Sequence, residues 1–324
     1  MKRISLGSCP APAQQGITLI EMMISMVLGL IIISGVMGAF ISTTKTLRQT
    51  DDLSRIQENA RVAVQLIGRS LREAGVTPCG LPPGKGLIVH TPATLANISN
   101  WWAGGTDFKD SIRGYPASAM SNFPAKDSST PPVSGSDGII VVSGGEAATT
   151  VSNDTGTAMT VQSASGFTSN SYLFACSVTQ GYGVVFQPTG LSGTTIQHPA
   201  FTVTGIGTLA PTHVGRLTAE GWFVAPNSEG GTSLYRGFLQ NNGTATVEEI
   251  APDISKMEIT YLLSGENSYT ATVADTAWPN LLAVYINLTI TRQPAGSSTD
   301  PITRTVGLTV NLRNRFELSS TGTP

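Results

Sequence analysis

The side chains able to do chemistry are few and scattered. Three histidines, His90, His198 and His213, stand far apart, and none sits with cysteines or carboxylates at metal-ligand spacing. The sequence holds no G-x-S-x-G, no H-E-x-x-H and no phosphate-binding loop. Neither a cofactor, nor a metal, nor an enzymatic function is expected on these grounds. Serine and aspartate are plentiful enough that a triad assembled only in space is not excluded, yet nothing favours one. The loop Ser152-Asn153-Asp154-Thr155-Gly156 offers oxygen ligands without the regular spacing of a calcium loop, and ordinary turn chemistry explains it better. Two sets of residues remain: the cysteines Cys9, Cys79 and Cys176, and Glu21, the single ionisable group in the apolar run 17–41.

That run decides how both sets are read. As a helix it would be roughly 37 Å long at about 1.5 Å per residue, enough to cross a bilayer with some tilt. A secretory signal peptide has a shorter apolar region followed by its cleavage site, which does not fit here. Lys2 and Arg3 favour a cytoplasmic N-terminus, so the remainder of the chain is expected to be exported. An acidic group inside a bilayer costs about 2.5–3.5 kcal/mol on insertion scales for comparable residues. Glu21 therefore either has a partner or lies close enough to the membrane edge to reach headgroup water. Cys79 and Cys176 lie in the exported part, where oxidation is permitted. A Cys79–Cys176 disulfide would close a loop of about a hundred residues and contribute on the order of 4–5 kcal/mol by the chain-entropy argument. Two buried free thiols are the alternative.

The residues Gly16-Ile17-Thr18-Leu19-Ile20-Glu21 resemble the type IV prepilin signature. The resemblance implies peptidase cleavage between Gly16 and Ile17, N-methylation of Ile17, and removal of Cys9 with the leader 1–16. It also implies that Glu21, fifth in the mature chain, pairs with the positive N-terminus of a neighbouring subunit during assembly. Two departures are an Ile where Phe is commonest and a rather long leader containing Pro10 and Pro12. The partners implied are a prepilin peptidase, major and minor pilins, an inner-membrane assembly platform and, before assembly, membrane lipid. The location implied is the inner membrane in single-pass form with a periplasmic head, then a pilus or fimbrium at the cell surface.

The elements that would position these residues follow from periodicity. Leu53, Ile56, Ala60, Ala63, Ile67 and Leu71 recur at three- and four-residue intervals, with Leu66 widening the stripe and Arg55, Glu58, Arg61, Arg69 and Arg72 between them. One helix is expected over 17–75, ended by a left-handed Gly75 and by Pro78. Gly29, Gly35 and Gly38 either let it curve or serve as small packing sites. From 76 to 324 the pattern is β-like. A buried strand is expected at Ile139-Ile140-Val141-Val142. Period-two strands are expected through Met257, Ile259, Tyr261 and Leu263, through Leu282 to Ile290, and through Val306 to Leu312. Further strands are expected near 172–178, 183–187, 222–224 and 234–239, with a polar hairpin loop at 294–298. Residues 91–136, with Trp101 and Trp102, show no steady period and read as an irregular insertion, either a partner site or a small satellite core. The fold class expected is α+β: a long N-terminal helix, half membrane-spanning and half amphipathic, packed on an antiparallel β-rich head.

Net charge is −2, but residues 76–324 hold eleven basic against sixteen acidic groups. That weighs against phosphate-backbone binding as the main function, a single exposed stripe aside, and no specific nucleic-acid partner is expected. The stretch 66–75, the strand after Ser136-Asp137 and the ending Val310-Asn311-Leu312-Arg313-Asn314-Arg315 are similar to PilW-type minor pilins. This implies a role in pilus assembly or initiation within a tip complex. A secretion pseudopilin of the GspJ type, or an adhesive or DNA-contacting tip module, are the alternatives.

Overall fold

The computed structural model describes residues 16, 18–80, 88–90, 111–123, 129–203, 207–293 and 301–312. Ile17, Trp101, Trp102, the loop 294–298 and residues 313–315 lie outside the described residues.

A single helix, α1, runs Leu19–Glu73. Two compact units divide the chain near Leu53, and the two parts of the helix meet different surroundings. Between Leu19 and Ile41 the large apolar side chains are exposed, Ile33 at 65% and Phe40 at 67%. Beyond Ser54 the stripe is buried: Ile56, Ala60, Ala63, Ile67 and Leu71 are all at 6% exposure or less, and Leu66 packs at its margin. The helix stops where Gly75 takes φ +70°, a conformation that costs a residue without Cβ little. Its chain is then captured: the Gly75 N–H donates to the Val142 carbonyl and the Gly144 N–H to the Val76 carbonyl.

Sixteen strands follow among the described residues. They are β1 (Ile88–His90), β2 (Ile112–Tyr115), β3 (Gly138–Asp154), β4 (Ala158–Val161), β5 (Leu173–Ser177) and β6 (Tyr182–Phe186). Next come β7 (Gly190–Ser192), β8 (Thr195–Gln197), β9 (Thr202–Val203), β10 (Gly207–Thr208) and β11 (His213–Pro226). The last are β12 (Thr232–Leu239), β13 (Ala245–Pro252), β14 (Ile254–Leu263), β15 (Leu281–Arg292) and β16 (Ile302–Asn311). The largest sheet is built on β3 and β11, which pair antiparallel from His213↔Thr150 to Trp222↔Ile139. β11 also pairs with β5 at one end and with β12 at the other, and β13 extends β12. Among the described residues all strand pairings are antiparallel except β1 with β6. A separate sheet has the order β14-β15-β16, and a short one joins β9 and β10.

Alternation explains where the core lies. Ile139, Val141, Trp222 and Val224 turn to a core shared with the helix stripe and with Met257, Ile259, Ile286 and Leu288 of the three-stranded sheet. Their neighbours Ile140, Val142, Phe223 and Ala225 turn to a second core around Phe123 and Phe174. A strand buried on both faces loses its polar alternation, which is why 139–142 reads as a continuous apolar run. The period-two expectations hold for β14, β15 and β16, and β15 and β16 form the expected antiparallel pair, Arg292↔Ile302.

One expectation is corrected. The described part of 91–136 is no satellite: β2 pairs with β3 through Ile112↔Val141, Ile112 enters the first core, and Met120 and Phe123 enter the second at 2% and 0% exposure. β2 is Ile-Arg-Gly-Tyr, too short to display a period, and Pro116 follows it at once.

Candidate functional site

The helix starts with a reciprocal cap. The Glu21 N–H donates to the Thr18 Oγ1 at 3.4 Å, and the Thr18 N–H and hydroxyl face the Glu21 Oε2 at 3.5 Å each. Thr18-x-x-Glu21 is thus a capping box that places the carboxylate in the first turn, where the helix dipole favours a negative charge. Contacts of 3.4–3.5 Å are long, so the carboxylate is loosely held and exposed. The sequence signal for this cap is the T-x-x-E pattern Thr18-Leu19-Ile20-Glu21 ahead of an apolar run.

Below this cap the apolar half satisfies its own polar groups. Ser25 Oγ donates to the Glu21 carbonyl at 2.7 Å, Ser34 to the Leu30 carbonyl, and Thr43 and Thr44 to the Ala39 and Phe40 carbonyls at 2.9 and 2.8 Å. Hydrogen bonds closed within the helix are what a hydrocarbon solvent demands. The helix is long and apolar enough to cross a membrane, and none of its most apolar stretch is buried against the rest of the chain.

The second half is seated by two polar anchors that the stripe does not announce. Trp222 Nε1 donates to the Ser70 Oγ at 3.1 Å, both residues being buried. Asn59 Nδ2 donates to the Pro252 carbonyl at 3.0 Å and faces the Asp253 carboxylate at 3.3 Å. Asp253 has φ +66° and is held by Arg292 at 2.8 Å, so a strained corner between β13 and β14 becomes the seat of the helix. The outer face carries Arg61–Glu58 at 2.6 Å and Arg69–Glu73 at 2.9 Å, both well exposed. The Arg61 hydrogen bond draws the Glu58 carboxyl below its usual range, and Glu58 and Glu73 raise Arg61 and Arg69. Such exposed pairs add little to stability.

Past the helix, Cys79 and Cys176 are bonded, with their Cα atoms 6.1 Å apart. The bridge ties the segment after α1 to β5, and Cys176 is fully buried. The other reactive candidates are structural. His198 packs against Phe201 and faces Asp154 at 3.3 Å, while Asp154 also accepts the Gly156 N–H at 2.8 Å and so shapes the turn into β4. His213 lies on β11 beside Thr212. Among the described residues no three His, Cys, Asp or Glu side chains gather as metal ligands. Asp137 bridges elements, its Oδ1 accepting the Ala117 N–H and its Oδ2 the Ile259 N–H at 2.8 Å each.

Residues 12–37 match the sequence family described as the prokaryotic N-terminal methylation motif. The chain thus carries the mark of prepilin-like proteins, on a pilin-like α+β fold in which a long N-terminal helix packs against antiparallel sheets. The motif implies processing by a prepilin peptidase, anchoring in a membrane and assembly with pilins into a pilus-like fibre. No curated protein and no solved structure matches the chain.

Proposed function

We propose that the chain is a minor pilin of a type IV pilus, acting in assembly or initiation as part of a tip complex. Leader 1–16 is removed between Gly16 and Ile17, Ile17 is methylated, and 17–41 spans the inner membrane until the subunit is extracted. The observation that carries this reading is a loosely capped carboxylate, Glu21, at the start of an otherwise uncharged and uncovered apolar helix, inside the matched motif. A charge so placed costs several kcal/mol in lipid and is stabilised by a cation from outside the subunit. The new N-terminus of a neighbouring subunit, carried at the same depth, supplies that cation. The PilW-like role rests on 66–75, the strand after Asp137 and the chain end. The same motif serves secretion pseudopilins, and the set of co-purifying subunits separates a GspJ-like role from a pilus role.

Two measurements test the proposal. Mass spectrometry of the mature chain should find methylated Ile17 as its first residue, and any other start defeats it. Glu21→Ala should still be cleaved and inserted, yet be lost from sheared filaments; unchanged incorporation would remove Glu21 from assembly.

A further inference from the structure

The outer face of the three-stranded sheet carries a cleft that neither the core nor the helix uses. It holds about 440 Å³ and lies over β14 and β15, within the size range of small-molecule sites. Its floor is made of cross-strand pairs, Glu258 opposite Asn287 and Thr260 opposite Tyr285. Its wall includes Ala271, on a segment fastened to β14 by the Tyr261–Thr270 backbone hydrogen bonds of 2.8 and 2.9 Å.

Tyr285 is 38% exposed although it stands in mid-strand. Its phenol end lies over Gly307 of β16, where a Cβ would come 2.7, 3.0 and 3.2 Å from three of its atoms. Gly307 has an ordinary backbone conformation, so what a side chain there would meet is the ring above, whose phenol end it would push aside. Tyr269 meets Tyr285 at 6.2 Å and 67°. The ring is thus held against the sheet with a surface left open to solvent.

Beside it stands a locked set of polar groups. Lys256 Nζ donates to the Glu258 Oε1 at 2.6 Å and Asn287 Nδ2 donates to the Glu258 Oε2 at 3.3 Å. The charges of Lys256 and Glu258 offset each other, and the nearby Asp137 carboxylate is taken up by two backbone N–H groups. Among the described lining residues one net negative charge remains, on a carboxylate whose two oxygens are already bonded, so the cleft disfavours a phosphate or carboxylate ligand and presents no unpaired cation to select one. What the cleft offers is an aromatic surface bordered by fixed donors and acceptors, which suits a molecule with an apolar face and a rim of hydroxyls.

We propose that this cleft binds a neutral saccharide ring, its C–H face against Tyr285 and its hydroxyls bonded to Asn287, Glu258 and Lys256. The proposal is independent of the assembly role of the helix. The test is saturation-transfer NMR on the full chain in lipid nanodiscs, titrated with the methyl α- and β-glycosides of glucose, galactose and mannose. At least one glycoside should receive saturation on its ring C–H protons in a saturable manner. Tyr285→Ala should weaken it about tenfold, the order of a lost aromatic contact. Tyr285→Phe, which keeps the ring, should stay within about threefold, less than the tenfold step that 1.4 kcal/mol represents. Gly307→Val should match Tyr285→Ala although the tyrosine remains, because it displaces the ring. Absence of transfer to every neutral glycoside, or equal binding by wild type and Tyr285→Ala, would overturn the proposal. So would loss of Tyr285→Ala from filaments, which would show the face covered by a neighbouring subunit.

Discussion

The two halves of α1 share one secondary structure and opposite solvents. From Leu19 to Ile41 the apolar side chains cover the whole circumference and stay uncovered, while from Ile56 to Ala74 they narrow to one stripe that sheets cover almost completely. Hydroxyls follow the same division. Ser34 bonds its own helix, whereas Ser70 reaches across to Trp222. A helix whose polar groups close on themselves can exchange lipid for other helices without leaving a donor unpaired. A helix whose polar groups close on a sheet is committed to that sheet. The first half leaves its apolar surface uncovered by its own chain, and the second buries its stripe against the head.

This contrast can be broken experimentally, and the head side should give the larger effects. Reducing the Cys79–Cys176 bridge removes a cross-link spanning 97 residues and should lower the stability of the head by about 4–5 kcal/mol. Thermal unfolding of the full chain in detergent, with and without reductant, measures this, while membrane insertion should be unchanged. Ile67→Ala should cost about 2–5 kcal/mol in the same assay, because Ile67 is fully buried. Ile31→Ala should stay within about 0.5 kcal/mol, since Ile31 is 62% exposed and its loss is felt only in lipid. Equal effects of the two would erase the distinction. Ser70→Ala should cost about 1–3 kcal/mol by leaving the Trp222 N–H unpaired in the core, whereas Ser34→Ala should leave head stability unchanged.

The smallest effect is electrostatic. Glu58 has its folded carboxyl drawn below the ordinary range by Arg61. Its contribution is therefore present above the unfolded value and is lost as pH falls through the lower, folded one. Glu58→Gln should flatten stability between neutral and acid pH only slightly, and added salt should remove even that difference. A large salt-resistant change would show that the outer helix face has a role in holding the head.

Much of the helix was legible because its signals are local. Apolar length over 17–41, the stripe from Ile56 to Leu71 and the breaker Gly75 each depend on neighbours a turn away, and so does Thr18 with Glu21. The period-two strands from Met257 onward were legible for the same reason. β2 was not, since four residues bearing one apolar side chain in a core carry no period. The Cys79–Cys176 pair was a natural candidate only because two exported cysteines admit a single pairing.

By itself, then, the order of residues determined which stretch is long and apolar enough to cross a membrane, where its helix begins and ends, and which faces of its long strands are apolar. Tertiary structure alone decided that Ser70 would meet Trp222, that Asn59 would meet Asp253, and that Tyr285 would lie on Gly307. The first two contacts join residues 152 and 194 positions apart. Helix and strand periods are set by backbone geometry within a few residues, so they leave a trace in the sequence. A hydrogen bond or a ring contact between distant residues depends on sheet order and register, and no local spacing encodes those.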